Sequence, residues 1–151
     1  MNARRTWWWG QGNALESSVV ENLSETLKTR LSERFPSALK SNVALGDSVA
    51  DFVLEIPNRV IVAELKTGDP DLPIPSSTVR QMKLFAERAH SQYPRREVVP
   101  IVVTNYQVSD SDKEVLAKEG VRIISLSSPL NVDALVSDFV RQAKMQEETS
   151  A

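Results

Sequence analysis

Apolar residues near the start of the chain recur at helical spacing. The recurring set, separated by four residues at each step, is Leu15, Val19, Leu23, Leu27 and Leu31. Because residues i and i+4 lie on the same side of an α-helix, this pattern predicts an amphipathic helix. Pro36 cannot continue a helix, so the predicted helix covers residues 14–35.

The next apolar residues show the composition and spacing of β-strands. Residues 38–45 are predicted as a short strand that ends at a Gly-Asp turn. Residues 51–56 and 59–65 are rich in Val and Ile, and only Pro57 and Asn58 separate them. These two segments therefore predict a β-hairpin.

Helical and strand patterns alternate over the second half of the chain. A proline-rich loop is predicted over residues 69–77, followed by helices over 77–91, 109–119 and 132–145 and by strands over 98–104 and 121–126. The element order α-β-β-β-α-β-α-β-α predicts an α/β fold with a central mixed β-sheet flanked by helices on both faces. One domain is expected over residues 14–145, between an N-terminal tryptophan-rich segment, residues 1–13, and a polar tail, residues 146–151.

Composition narrows the chemistry that such a domain could perform. The chain has 151 residues, of which 41% are hydrophobic and 25% charged, which is ordinary for a soluble globular protein. No apolar stretch is long enough for a membrane span or a secretory signal, so a cytoplasmic protein is expected. The absence of cysteine and the single histidine exclude zinc fingers, thiol chemistry and histidine-rich metal sites. Any metal ion would be bound by oxygen ligands.

The predicted hairpin brings three charged residues together. Pairing around Pro57 places Asp51 opposite Glu64, with Lys66 on the same face of the strand as Glu64. Opposed like charges destabilise a sheet unless a cation lies between them, and Mg²⁺ prefers one or two carboxylates together with water and substrate phosphate. Two carboxylates and an ammonium group therefore suit metal-dependent hydrolysis of a phosphodiester. A one-residue slip of the pairing would separate the two carboxylates.

These residues resemble the motif of the PD-(D/E)xK nuclease superfamily. Asp51, followed on the next strand by Glu64-Leu65-Lys66, is similar to the superfamily motif, although Ala50 stands at the position of the proline. The stretch GNALESSVVENL is similar to the first helix of the Mrr-like and Holliday-junction-resolvase-like branches. The stretch VVPIVVTNYQVSDSDKEVLAKEGVRIISL is similar to the strand, helix and strand that close the Mrr-like core.

One further element resembles RecB-type nucleases. QMKLF is similar to their Q-x-x-x-Y element, with Gln81 matching and Phe85 in place of the tyrosine. Together these resemblances imply a restriction-endonuclease-like fold and a nuclease that uses Mg²⁺ or Mn²⁺ to hydrolyse DNA or RNA. The implied catalytic residues are Asp51, Glu64, Lys66 and Gln81, and the implied metal ligands are Asp51, Glu64, Leu65 through its carbonyl, and Glu16.

Plainer interpretations of the same residues exist. Glu64 and Lys66 could form a solvated salt bridge at a strand end, and Glu16 could be a surface residue near a helix start. Gln81 could simply be exposed. Asp47 is an alternative candidate for the role of Asp51, but it is predicted in a turn.

Partner binding is suggested by two other groups of residues. With a net charge of −2 the chain has no overall basic field, so contacts to nucleic acid must be local. The candidate cations are Lys40, Arg80, Lys83, Arg95 and Arg96.

Three successive tryptophans near the start of the chain could stack on nucleic-acid bases, pack on the core of the protein, or contact a second subunit; they are Trp7, Trp8 and Trp9. A homodimer or a targeting protein partner is expected, and the alternative function is a noncatalytic nuclease-fold module that binds a protein or nucleic acid through the tryptophans.

Overall fold

The computed structural model describes residues 13–57, 59–126 and 131–150 of the chain, with side chains described for residues 22–57, 59–126 and 131–142. The elements in chain order are α1 (Asn13–Arg34), β1 (Leu39–Leu45), β2 (Ser48–Ile56), β3 (Arg59–Lys66), α2 (Ser76–Gln92), β4 (Glu97–Thr104), α3 (Asp110–Lys118), β5 (Arg122–Ser125) and α4 (Val132–Ser150). This order confirms the order predicted from the hydrophobic pattern. Helix α4 is longer than expected, because it continues through the segment predicted as a polar tail.

The five strands form one mixed sheet in the spatial order β1-β2-β3-β4-β5. The β1–β2 and β2–β3 pairs are antiparallel, whereas β3–β4 and β4–β5 are parallel. In the β2–β3 hairpin Ile56 pairs with Arg59 and Phe52 pairs with Ala63. The register is therefore the one that brings Asp51 beside Glu64, and the one-residue slip does not occur.

Helices cover both faces of this sheet, as predicted. On one face α1 and α4 pack against alternate strand residues, and Phe52 contacts Phe139 with ring centroids 5.6 Å apart. On the other face α2 and α3 pack through residues such as Met82, Phe85 and Leu116, all buried. Since apolar residues on both faces of β3 and β4 are removed from water, these two strands form the centre of the molecule.

Halfway along the β1–β2 hairpin, the side of the sheet on which alternate residues pack is exchanged. Leu39 packs on the α1–α4 side, yet Val43, four residues later, packs on the α2–α3 side. Asn42 lies between them with a positive φ of 51°, a conformation that asparagine tolerates better than most residues. On β2 the same change separates Ala50 from Phe52. Asp51 therefore lies at a bend in the sheet, which strict strand alternation does not predict.

Within residues 13–57, 59–126 and 131–150, none of the helices is both long and apolar enough to cross a membrane.

Candidate active site at the end of the β2–β3 hairpin

Asp51 is held by a hydrogen bond from the main chain of β3. The Leu65 N–H donates to Oδ2 of Asp51 over 2.7 Å, and the carboxylate is half-buried. The backbone ladder of β2 and β3 stops at the Phe52–Ala63 pair, because β2 bends away at this point. The Asp51 side chain thus replaces the main-chain acceptor that the bent strand no longer offers to Leu65. This contact fixes the carboxylate at the end of β3.

Glu64 and Lys66 lie on either side of Leu65 along β3. They alternate with Ala63 and Leu65, which face α1 and α4, so they project from the opposite face of the sheet. Burial raises the pKa of the Glu64 carboxyl, the nearby Lys66 ammonium lowers it, and the Asp51 carboxylate raises it further, for a net increase. Both other charges therefore act on Glu64 electrostatically. The structure brings together the three residues predicted to form the core of the site.

The oxygen atoms available here fit a hard divalent cation. Mg²⁺ binds through one or two carboxylates and keeps water and substrate phosphate in its remaining positions. Asp51 and Glu64 supply two carboxylates whose mutual repulsion a cation would relieve. No cluster of three or more acidic, histidine or cysteine side chains suited to a metal occurs in the described part of the chain. The third predicted carboxylate, Glu16, lies on α1, and its side chain is outside the described residues.

The segment that follows Lys66 is attached to the end of β4. The Gly68 N–H donates to Oδ1 of Asn105 over 2.8 Å, and Nδ2 of Asn105 donates to the Gly68 carbonyl over 2.6 Å. Further along, the Ile74 N–H donates to the Gln107 carbonyl over 2.8 Å, just before α2 begins. The start of α2 therefore lies at the same end of the sheet as Lys66.

Helix α2 presents Gln81 on the flank nearest the β1–β2 hairpin. Gln81 is exposed and precedes Arg88 by seven residues, or two helical turns, so both lie on one side of the helix. Arg88 donates a hydrogen bond to Ser48 and lies 3.7 Å from the carboxylate of Asp47, which remains in the β1–β2 turn. Phe85, at the position of the family tyrosine, is buried with 1% of its surface exposed. Its ring contributes to the core under α2.

The five candidate nucleic-acid-binding cations fall into two groups. Lys40 lies 2.6 Å from the Glu55 carboxylate, and Arg96 donates to the carbonyls of Ile56 and Arg59 beside the β2–β3 turn. Arg95 is exposed next to Arg96. Arg96 meets the turn at Ile56, five residues or about 17 Å along β2 from Asp51, whereas Lys40 is opposite Val53, two residues from Asp51, and its ammonium reaches Glu55. The second group, Arg80 and Lys83, is on the first half of α2.

Two features of the site were not found by sequence reasoning. The contacts of Asp51 with Leu65 and of Asn105 with Gly68 join side chains to the main chain of distant residues, and local hydrophobic patterns do not encode such pairs. A signal for the second was present, because Asn105 is a polar residue directly after a continuous apolar strand. Trp7, Trp8 and Trp9 lie outside the described residues.

Comparison with known proteins finds similarity at the level of the fold. No protein-family model and no curated protein matches the chain. Can2 from Sulfobacillus thermosulfidooxidans, solved with cyclic tetra-adenylate, matches with a TM-score of 0.59 and 14% identity over 83% of this chain and 36% of that one. Protein VC1899 from Vibrio cholerae matches with a TM-score of 0.55 and 14% sequence identity, and the match covers 84% of this chain and 33% of that one. AF1548, a protein of unknown function, matches with a TM-score of 0.54 and 18% sequence identity, and the match covers 77% of this chain and 66% of that one.

The chain spans less than two thirds of the length of each of these three structures. At such identities the likeness concerns the arrangement of strands and helices. It covers most of this chain in all three cases and agrees with the observed sheet, which has two antiparallel strands joined to three parallel ones between helical layers. The chain has a restriction-endonuclease-like fold.

Proposed function

We propose that the protein is a metal-dependent nuclease that hydrolyses phosphodiester bonds of DNA. The observation that carries this proposal is the grouping of two carboxylates and an ammonium at one strand end, where burial, with a smaller contribution from Asp51, raises the pKa of Glu64 more than Lys66 lowers it. A site that places like charges together in a partly dry environment is unfavourable by itself and becomes favourable with a cation. The resemblance to the PD-(D/E)xK motif supports the same assignment.

Each residue of the site has a proposed role. Asp51 and Glu64 hold a Mg²⁺ or Mn²⁺ ion, and Glu16 is a further ligand by resemblance. Bound there, a divalent ion lowers the pKa of water and offsets charge at the phosphate. The N–H and C=O of a strand residue point to the same neighbouring strand, so the Leu65 carbonyl is expected on the side where its N–H meets Asp51. It is the fourth proposed ligand.

Lys66 is proposed to act on the reacting phosphate. Its ammonium is a compact cation on a flexible stem, and strand alternation places it on the same face of β3 as Glu64. It would orient the attacking water and stabilise the negative charge that develops at the phosphorus centre. Gln81, exposed on the flank of α2 nearest the bent hairpin, is proposed to contact the substrate or order the site.

Substrate binding needs more positive surface than the site itself provides. Of the proposed cations, Arg80 and Lys83 are on the helix that starts beside the site, whereas Lys40 and Arg96 are engaged at the far end of the hairpin. We therefore propose that a second copy of the chain or a targeting protein adds to the contact with DNA.

A cleavage assay with matched variants tests the function. Plasmid, linear duplex, single-stranded DNA and RNA are incubated with Mg²⁺ or Mn²⁺ and the wild-type protein, Glu64→Gln or Lys66→Ala. Glu55→Gln is the control, because Glu55 is also a half-buried carboxylate of this hairpin but pairs with Lys40 near the turn. Cleavage is expected to need Glu64 and Lys66 and to be kept in the control. Cleavage that survives both substitutions would exclude this site.

Metal binding is tested independently of cleavage. Calorimetric titration with Mn²⁺ is expected to show binding to the wild-type protein and to Glu55→Gln, and much weaker binding to Glu64→Gln. If the wild-type protein takes up no ion at millimolar concentration and cleaves none of the substrates, a noncatalytic binding module is the better description.

A further inference from the structure

Past the end of β3 the chain is held by a side chain in place of a strand partner. The regular β3–β4 ladder ends with Lys66 opposite Thr104. Two residues later, both polar groups of the Asn105 amide bond to Gly68, one accepting from its N–H over 2.8 Å and one donating to its carbonyl over 2.6 Å. Asn105 is buried, with 5% of its surface exposed. We call this pair of bonds the Gly68–Asn105 clamp.

The Tyr106 side chain covers Gly68 and leaves no room for a Cβ atom there. A Cβ atom built on Gly68 would lie 2.0 Å from the Tyr106 hydroxyl oxygen and 2.3 Å from the ring carbon that carries it. Such contacts are far below van der Waals distance, so a side chain at this position requires a shift of the Tyr106 side chain or of the segment itself. The close approach of the two segments is therefore built into three residues, namely Gly68, Asn105 and Tyr106.

The clamp and the Asp51 contact hold the chain on either side of Lys66. One residue before Lys66, the Leu65 N–H is bonded to Asp51 and so to β2. Two residues after Lys66, Gly68 is bonded to Asn105 and so to the end of β4. Strand ends without such contacts fray, and fraying would widen the range of positions open to the Lys66 ammonium. Glu64 lies within the regular ladder, opposite Val102, and does not depend on the clamp.

We propose that Asn105 is a positioning residue that acts through Gly68 to fix Lys66 in the active site. This inference rests on the proposed function, because it assigns Lys66 a role in hydrolysis. It makes a selective expectation: loss of the clamp impairs the step that uses Lys66, while the two carboxylates keep their affinity for the ion.

A double-mutant cycle tests the coupling. Asn105→Ala is expected to lower kcat about tenfold, the scale seen when groups that orient an active-site residue are removed, with KM and the Mn²⁺ dissociation constant unchanged. In the Lys66→Ala background, Asn105→Ala is expected to cause no further loss of kcat, because the residue it positions is gone. Independent losses that multiply in the double variant, or weakened Mn²⁺ binding, would overturn the proposal.

Two other variants guard against a folding artefact. Gly68→Ala keeps Asn105 and brings a Cβ atom against Tyr106; if hydrogen exchange shows that the amide of residue 68 has lost its protection, the variant is expected to reproduce the kcat loss of Asn105→Ala. Gln107→Ala is the matched control, because its side chain bonds to the Pro70 carbonyl over 3.3 Å in the same loop but does not touch Gly68. It is expected to behave as wild type. Equal losses in Gln107→Ala and Asn105→Ala would mean that general loop damage is responsible.

Amide hydrogen exchange tests the clamp by a measurement that does not depend on nuclease activity. In the metal-free wild-type protein the Gly68 amide is expected to exchange slowly, and in Asn105→Ala both Gly68 and Lys66 are expected to exchange faster. If the wild-type protein cleaves no substrate but shows this protection, the proposed function fails and the clamp stands as a structural feature only. A Gly68 amide that exchanges without protection in the wild-type protein would refute the clamp, whether or not the protein is a nuclease.

Discussion

The two ends of the β2–β3 hairpin carry charged residues in opposite arrangements. Near the turn, charges of opposite sign are paired: Lys40 lies 2.6 Å from Glu55, and Nε of the buried Arg59 lies 3.3 Å from Glu97. At the other end, burial raises the pKa of the Glu64 carboxyl, the Lys66 ammonium lowers it, and the like charge of Asp51 raises it by a smaller amount. The same pair of strands thus pairs its charges at one end and, at the other, keeps a carboxylate whose charged form is disfavoured by burial.

This difference indicates where function lies. Charged groups that serve only the fold are expected to have partners, because buried unpaired charge is costly. A carboxylate whose charged form is disfavoured by burial is costly to the fold, and perturbed carboxylates of this kind are typical of binding and catalytic sites. Substitutions at the two ends should therefore have opposite effects on activity and on stability.

The largest expected effect is on cleavage. Lys66→Ala at the site end should lower kcat by about 10²–10³-fold, since it removes a cation that stabilises charge in the transition state. Asp51→Asn should be at least as damaging because it removes a metal ligand. Glu55→Gln near the turn should leave kcat unchanged. Initial rates on the best substrate of the panel measure the contrast, and comparable losses at both ends would contradict it.

The next effect is on stability and concerns the turn end. Arg59 is 2% exposed, and two of its guanidinium nitrogens have no hydrogen-bond partner, so Glu97 is its main compensation. Glu97→Gln removes the charge that compensates Arg59 and should lower the free energy of unfolding by about 1–3 kcal/mol. The loss is smaller than for a fully buried pair because Glu97 is partly exposed. Arg59→Met removes the buried charge together with the need for a partner and should be neutral or stabilising. Urea denaturation of both variants measures the difference, which would be absent if Arg59 were solvated.

The sequence predicted the elements of this comparison better than their contacts. The turn at Pro57 and the run of Val and Ile residues predicted the pairing that places Asp51 beside Glu64, but a one-residue slip stayed open because both faces of β3 are apolar; the observed pairing of Ile56 with Arg59 decides the register. The bend at Asn42 was not predicted, since it depends on a single positive φ rather than on a pattern. Neither was the pairing of Asn105 with Gly68, which joins positions 37 residues apart.

A smaller effect is expected on the pH dependence of stability, which shows how much Glu64 destabilises the fold when no metal ion is bound. The pKa of Glu64 is raised in the folded protein, so the folded state holds this proton more tightly than the unfolded state does. The contribution of Glu64 to stability is therefore most favourable below its ordinary pKa and is lost as the pH rises through the raised value. At pH 7 without metal, Glu64→Gln should raise Tm by a few degrees, and the difference should vanish in acid.

Thermal unfolding in EDTA and in excess Mn²⁺ checks this prediction. Added ion stabilises only a folded state that binds it, so wild-type Tm should rise with Mn²⁺ and the Glu64→Gln variant should respond much less. The order of the two proteins is expected to reverse between EDTA and saturating Mn²⁺. A Glu64→Gln variant that is less stable than wild type in EDTA would show that Glu64 is a stabilising partner of Lys66 and not a strained ligand.

The smallest expected effect is on the salt dependence of DNA binding, which should differ between cations beside the site and cations near the β2–β3 turn. Arg80, on the helix that begins beside the site, should contact substrate phosphate, so Arg80→Ala should reduce the slope of log K against log salt by about 1. The Lys40 ammonium is paired with Glu55, which lies four residues or about 13 Å along β2 from Asp51, so Lys40→Ala should change the slope less. Fluorescence anisotropy with a labelled duplex at several salt concentrations measures both slopes. An equal decrease in both variants would mean that DNA contacts the whole length of the hairpin, and that the ion pairs near the turn open when it binds.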